Sequence, residues 1–221
     1  VNKAGFAITD DEATREASKQ EILRRCFRYR CEYAMGLAEK ETVQRVELFL
    51  KDLEVRPEDR PVVAPAWEAA RTAQAQNKGN EGIFCGAAIE LRDGTIITGN
   101  NSPLMHAASS VVLHAIKHMA GIPAKLSLLP EAITNSVRNL KTDILNEKTV
   151  SLDLEETLIA LSISAATNPA AQMALEKLTE LRNCEAHMTH IPTVGDEAGL
   201  RRLGVNLTSE PHFSTKNLFM P

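Results

Sequence analysis

The sequence has no apolar run near the roughly 18–20 residues that a helix needs to cross a bilayer. Its four cysteines form no C-x-x-C pair, and its net charge of −4 shows no general excess of basic residues. These absences argue against a membrane protein and against a general nucleic-acid binder, and they favour reduced thiols. The polar start of the chain has no signal-peptide pattern, so we expect a cytoplasmic location.

Common catalytic and phosphate-binding motifs are absent as well. The chain contains no G-x-S-x-G nucleophile turn, no G-x-x-x-x-G-K-[ST] phosphate loop and no G-x-G-x-x-G dinucleotide turn. The sequence therefore predicts no serine nucleophile and no cofactor.

The pattern of apolar residues divides the chain into two parts. The 221 residues, with 43% hydrophobic content, suffice for one large domain or two small ones. Helical spacing continues to an alanine-rich segment that ends near Gln76, and a polar tract follows. We therefore predict a helical subdomain over residues 1–78 and an α/β subdomain over residues 79–221.

The second part alternates strand and helix patterns. Two apolar stretches flank the tight-turn signal Arg92–Gly94 and predict a hairpin, and a helix then runs from about His106 to Met119. Three further strands are predicted: Lys125 to Leu129, Cys184 to Ile191 and Val205 to Ser209. This order predicts an α/β fold with three layers, α/β/α, and a mixed sheet.

Residues 86–116 resemble the opening of zinc-dependent nucleoside and nucleobase deaminases. In those enzymes a hairpin leads into a helix that supplies a His or Cys ligand, and a Glu two residues later moves protons. His106 fits the first ligand position, and Asn101 lies where the deaminase loop has an Asn that contacts the substrate. The resemblance implies a cytidine deaminase-like fold for the second subdomain.

The residues that the zinc chemistry needs are replaced at three positions. Ala108 stands in place of the glutamate, and Ala170 and Met173 follow Pro169 where a P-C-x-x-C motif would supply two cysteines. Catalytic zinc needs three protein ligands. We therefore predict a scaffold without metal or catalytic residues, whose remaining pocket binds a small molecule or is filled by packing. The residues expected at this pocket are Asn101, His106 and Ser109.

Arg24, Arg25 and Arg28 form a candidate anion-binding group in the helical part. Arg24 and Arg28 are one turn apart on a helix and can hold a phosphate together. A solvated, arginine-rich face explains the same pattern, because Glu21 and Glu32 are close in sequence.

Four strings carry a wider family resemblance. They are GFAITDDEATREASKQEILRR from Gly5 to Arg25, DGTIITGNNS, ALSISAATNPAAQMALEKL and GLRRLGVNLT. They resemble the second half of a bacterial family catalogued as domain of unknown function eighteen forty-six. Members are longer than this chain, and their first half carries a glycine-rich stretch similar to a phosphate loop. The resemblance implies a C-terminal portion whose N-terminal half is missing, and it brings no catalytic residues.

The sequence thus favours a non-catalytic, cytoplasmic C-terminal module that binds a ligand or serves assembly. The main alternative is an enzyme in which Arg24, Arg25 and Arg28 complete a nucleotide-binding or phosphoryl-transfer site with the missing half. An oligomeric scaffold and a zinc enzyme with unfamiliar ligands are further alternatives. Candidate partners are the missing half, a second copy of the chain, and a small molecule or nucleotide; neither nucleic acid nor a membrane is expected.

Overall fold

The structure is a computed structural model that describes residues 10–214. The chain divides into two compact units between Arg60 and Pro61, called here the helical unit and the α/β unit. The helices are α1 (Asp11–Ala34), α2 (Lys40–Asp52), α3 (Val63–Ala75), α4 (Ala107–Met119), α5 (Glu131–Asn139), α6 (Leu154–Ala165), α7 (Pro169–Glu176) and α8 (Val194–Arg202). The strands are β1 (Gly86–Glu90), β2 (Ile96–Asn100), β3 (Glu185–Met188) and β4 (Asn206–Ser209).

The helical unit is built from α1 and α2. Asp10 caps α1 by accepting a hydrogen bond of 2.9 Å from a first-turn amide. The two helices pack through a small apolar cluster made by Leu23, Cys26, Leu50 and Val55. This unit therefore has a limited core and a largely exposed, charged surface.

The α/β unit begins earlier than the predicted domain boundary of 1–78 and 79–221, because α3 belongs to it and packs along β1. A Cβ at Gly86 would lie 2.1 Å from the carbonyl oxygen of Ala66, so only glycine lets the helix backbone approach the strand this closely. Val62 and Ala66 form an apolar cluster with Ala88 on this face of the sheet. The alanine-rich segment is thus one layer of the α/β unit.

The sheet is mixed, as predicted, with the strand order β2-β1-β3-β4. β1 pairs antiparallel with β2 and β3, and β3 pairs parallel with β4. Ala87 and Ile89 point away from Ala88 and join the main apolar core with α4. Helices therefore cover both faces of the sheet, which gives the three expected layers.

One predicted strand is wrong. Residues Lys125 to Leu129 form turns and bends rather than a strand. Leu128 and Leu129 are nevertheless buried in the main core, so the short apolar run reflects burial of a loop.

The strand directions bring several chain segments to one edge of the sheet. The carboxyl ends of β2, β3 and β4 and the amino end of β1 all lie at this edge. In open α/β sheets, ligands bind outside the carboxyl ends of the strands. Within residues 10–214, no helix combines the length and the apolar content that crossing a membrane requires.

Candidate functional site

A histidine and an aspartate meet at this edge of the sheet. His106 directly precedes α4, and its Nδ1 lies 2.8 Å from Oδ2 of Asp196, in the first turn of α8. The Asp196 side chain is 0% exposed, whereas the His106 side chain keeps 19% of its surface exposed. This His106–Asp196 pair is the centre of the candidate site.

Neutral donors hold the carboxylate of Asp196 in place. Its Oδ2 accepts a hydrogen bond of 2.8 Å from the hydroxyl of Thr193, the residue that caps α8. Its Oδ1 accepts a hydrogen bond of 3.0 Å from the amide of Leu154, the first residue of α6. A buried carboxylate is costly without such partners, so the beginnings of α4, α6 and α8 are fixed around it.

The pKa of His106 lies above its ordinary value. Burial alone would lower this pKa, but the hydrogen bond to Asp196 and the charges of Asp196 and Asp153 outweigh the burial. Because an ionised carboxylate only accepts, Nδ1 of His106 donates its hydrogen to Asp196. Nε2 is then the ring nitrogen that can take up and release a proton.

A second histidine lies close to the pair. His190 follows β3, is 6% exposed, and has no hydrogen-bond partner at Nδ1 among residues 10–214. Burial lowers the pKa of His190 to about 4, against the opposing charge of Asp196. This ring is therefore neutral near pH 7.

The nearby thiol is not an activated nucleophile. Burial raises the pKa of Cys85 to about 12, and the charge of Asp196 adds to this effect. A thiol with this pKa stays protonated at neutral pH. Cys85 thus belongs to the packing of the site, and all four cysteines are buried.

Asn101 and Ser109, two of the predicted pocket residues, bind the main chain. Oδ1 of Asn101 accepts a hydrogen bond of 2.8 Å from the Cys85 amide and so fixes the entry to β1. The hydroxyl of Ser109, which is fully buried, donates to the carbonyl oxygen of Leu152 at 3.2 Å. Of the three predicted residues, His106 has the most exposed side chain. Ligand binding by all three stays a prediction.

Asn168 and Pro169 form the start of α7, but the orientation of this helix does not match the positions that the two deaminase cysteines would take. Asn168 caps this helix by accepting from the amide of Ala170 at 3.0 Å. Ala171 and Ala174 are fully buried, whereas Met173 is 51% exposed. The helix therefore turns position 173 outward. In residues 10–214, no three His, Cys, Asp or Glu side chains are grouped so that they could hold a metal ion.

The candidate anion-binding arginines pair with glutamates of their own helix. Arg24 and Arg25 contact Glu21 at 3.1 and 2.9 Å, and Arg28 contacts Glu32 at 3.8 Å. Exposed pairs of this kind contribute about 0–1 kcal/mol and do not fix a site. This geometry is that of a solvated arginine-rich face, and anion binding by the three arginines stays a prediction.

Sequence reasoning did not find Asp196. The sequence from Thr193 to Asp196 has the spacing of a helix start, with Thr at the cap and an acidic residue three positions later. This signal correctly marks the start of α8. It gives no indication that the carboxylate is buried against His106, which is 90 residues away in the chain.

The fold and the site together define a general class of protein. Its members have a mixed α/β unit with a histidine–aspartate pair at the carboxyl edge of the sheet. The family model described as "Domain of unknown function DUF1846, C-terminal" matches residues 58–219, and the model for the N-terminal domain matches residues 1–54. The chain therefore belongs to the DUF1846 family, which confirms the family resemblance seen in the sequence. The cytidine deaminase-like fold and the missing N-terminal half stay predictions. The two matches meet close to the division between the helical and α/β units.

Similar proteins come from Clostridium botulinum. The UPF0371 protein of strain Alaska E43 is 46% identical over 219 residues, which are 99% of this chain and 43% of that protein. The UPF0371 protein of strain Langeland is 44% identical over 220 residues, with the same two shares. The chain thus spans less than half the length of these relatives.

Proposed function

We propose that the α/β unit provides an acid–base site for a small molecule. In this site His106 moves a proton, and Asp196 orients the imidazole ring and stabilises its protonated form. The observation that carries this proposal is the 2.8 Å contact between a partly exposed imidazole and a fully buried carboxylate. Burying a charged partner behind a surface histidine costs free energy that packing alone does not require. Acid–base catalysis uses this kind of oriented histidine.

The neighbouring groups support proton transfer rather than covalent attack. Cys85 stays protonated, because burial raises the pKa of its thiol to about 12. The Ser109 hydroxyl donates to a main-chain carbonyl and not to a base. His106 combines a ring nitrogen for proton transfer with partial exposure.

For the scaffold, we infer a cytidine deaminase-like arrangement with altered chemistry. The β1–β2 hairpin leads into α4, and His106 stands directly before that helix, where those enzymes have a zinc ligand. Ala108 is fully buried at the position of the proton-shuttling glutamate. In this proposal, the bond to Asp196 replaces the bond to zinc.

A ligand-binding module without catalysis is the second candidate. It is favoured because Asn101 and Ser109 form hydrogen bonds with the main chain. Of the three predicted pocket residues, His106 then has the partly exposed side chain. Proton exchange on binding separates the two candidates, because a binding module needs none.

A ligand screen tests the proposal. Small polar molecules are tested by thermal shift on the 221-residue chain, on His106→Gln, and on the control His118→Gln, which changes an exposed histidine of α4. Hits are then measured by calorimetry in buffers of different ionisation enthalpy. We expect hits whose binding exchanges a proton and is lost only in His106→Gln. Hits that bind equally to His106→Gln would contradict the proposal.

A further inference from the structure

We infer that His190 is a second ligand-binding group of this site and holds a hydroxyl group of the small molecule. This inference rests on the proposed function of the His106–Asp196 pair. It adds the chemical class of the ligand, an uncharged alcohol, which neither the family nor its relatives supply.

The imidazole of His190 is buried without a hydrogen bond at Nδ1. The residue is 6% exposed, and its Nδ1 has no hydrogen-bond partner in the part of the chain from 10 to 214. Buried polar atoms of folded proteins are nearly always paired, because a buried group without a partner costs free energy. A leucine at this position would fill the space without that cost. The unpaired nitrogen therefore points to a binding role.

The strand pattern places His190 on the same side of the sheet as His106. Met188 of β3 points into the main apolar core, which α4 covers. The amide of Thr189 continues the strand pairing by donating to the carbonyl oxygen of Gly86 at 3.0 Å. Residue 190 is the next position of this alternation, so its ring lies on the face of the sheet that α4 covers. His106 directly precedes α4.

The two histidines keep a ring nitrogen for a ligand, whereas Asp196 is fully occupied. The charges of Asp196 and His106 both act on His190, which agrees with three side chains in one site. Oδ2 of Asp196 accepts from His106 and from the Thr193 hydroxyl, and Oδ1 accepts from the Leu154 amide. Nε2 of His106 and Nδ1 of His190 form no hydrogen bond among residues 10–214. A polar ligand therefore binds this site through the two rings.

The chemistry of His190 favours an uncharged hydroxyl over an ion. Burial lowers the pKa of His190 to about 4, so its ring is neutral at pH 7 and has one N–H group and one acceptor nitrogen. A hydroxyl both donates and accepts, so it pairs with Nδ1 in either tautomer. A carboxylate would lie near Asp196 without a free cation, because the charge of His106 is already paired. An ammonium group would exchange its water for a neutral ring, and both burials are costly.

Probes with the same carbon skeleton and different charge test the inference. Small alcohols and diols, from ethylene glycol to cyclohexanol, are titrated into the isotope-labelled chain beside the amines and carboxylates of the same skeletons. The ring nitrogen signals of His106 and His190 are followed by NMR, because they report directly on protonation and hydrogen bonding. We expect a saturable shift of the His190 Nδ1 signal with at least one alcohol and none with the charged analogues.

Two substitutions separate ligand binding from folding. His190→Leu needs no polar partner, so we expect unchanged or higher stability against urea but about tenfold weaker binding of the alcohol. His190→Asn keeps a hydrogen-bonding group attached to Cγ, as Nδ1 is, and is expected to bind within about threefold of the wild type. His118→Leu, which removes an exposed histidine of α4, is the control and is expected to bind normally.

The inference is overturned if no alcohol shifts the Nδ1 signal, if the charged analogues shift it equally, or if His190→Leu binds the alcohol as well as the wild type does. A large loss of stability in His190→Leu would assign the histidine to folding and would also overturn it. The proposed function fails differently. It fails if the pKa of His106, measured without any probe, does not depend on Asp196.

Discussion

The charged pairs on α1 of the helical unit and the buried Asp196 of the α/β unit lie in different surroundings. In the helical unit, Arg25 and Glu21 form an exposed pair one turn apart on α1. In the α/β unit, the fully buried Asp196 joins His106 and Leu154, which lie 90 and 42 residues away in the chain. Exposed pairs contribute little and tolerate change, whereas buried charges need all their partners. The proposed acid–base site therefore depends on a buried charge, which the exposed pairs on α1 do not provide.

Removing the buried carboxylate should have the largest effect. Asp196→Ala leaves His106, Thr193 and the Leu154 amide without their acceptor, and we expect a loss of about 3–5 kcal/mol in the free energy of unfolding. Urea denaturation followed by circular dichroism measures this. A loss below about 1 kcal/mol would mean that the buried pair behaves like an exposed one.

Acid should destabilise the α/β unit through His190. The unfolded chain protonates this histidine near pH 6.5, whereas the folded chain does so only near pH 4. The free energy of unfolding should therefore fall by roughly 3 kcal/mol as the pH falls through this window. Urea unfolding at several pH values measures the effect in the wild type and in His190→Gln, where the dependence should be smaller. The control His118→Gln should keep the wild-type dependence; a His190→Gln curve like that of the wild type would count against buried, neutral His190.

Disturbing the packing of α4 on the sheet should have an intermediate effect on the free energy of unfolding. A Cβ at Gly99 would lie 2.4 Å from the Val111 amide nitrogen, so Gly99→Ala must move α4 away from β2. We expect a destabilisation of about 1–3 kcal/mol, measured by urea denaturation. Because His106 directly precedes α4, its NMR signals should shift as well. Unchanged stability would show that the helix does not pack this closely.

The smallest effect is expected in the helical unit. Arg25→Ala removes an exposed partner of Glu21 and should change the free energy of unfolding by less than about 1 kcal/mol. The same urea experiment measures it. A loss comparable to that of Asp196→Ala would remove the contrast between the units.

Local sequence signals were enough to predict most elements of the α/β unit. Asn168 and Pro169 at the start of α7 are residue types that commonly begin helices. Gly204, with a positive φ of 76°, is the residue type that commonly follows the end of a helix, here α8. The strand expected at Lys125 to Leu129 was wrong, because a short apolar run has the same pattern in a strand and in a buried loop. The domain boundary was placed too late, because the packing of α3 on β1 is a tertiary contact.

The sequence predicted only part of the candidate site. A hairpin followed by a helix is a local pattern, and it pointed to His106. Asp196 and Asp153 look like ordinary residues of helix starts, and both do lie there. The approach of Asp196 to His106 results from the sheet topology, because β2 and β3 run in the same direction and α4 and α8 start after their carboxyl ends. No local spacing of residues in the sequence indicates this contact.

A pH titration of the His106 imidazole by NMR tests the His106–Asp196 pair most directly. In the wild-type chain we predict a pKa above the ordinary value of 6.5, and in Asp196→Asn a clearly lower pKa. An ordinary or depressed pKa in the wild type, or the same pKa in both proteins, would contradict the acid–base role of the pair.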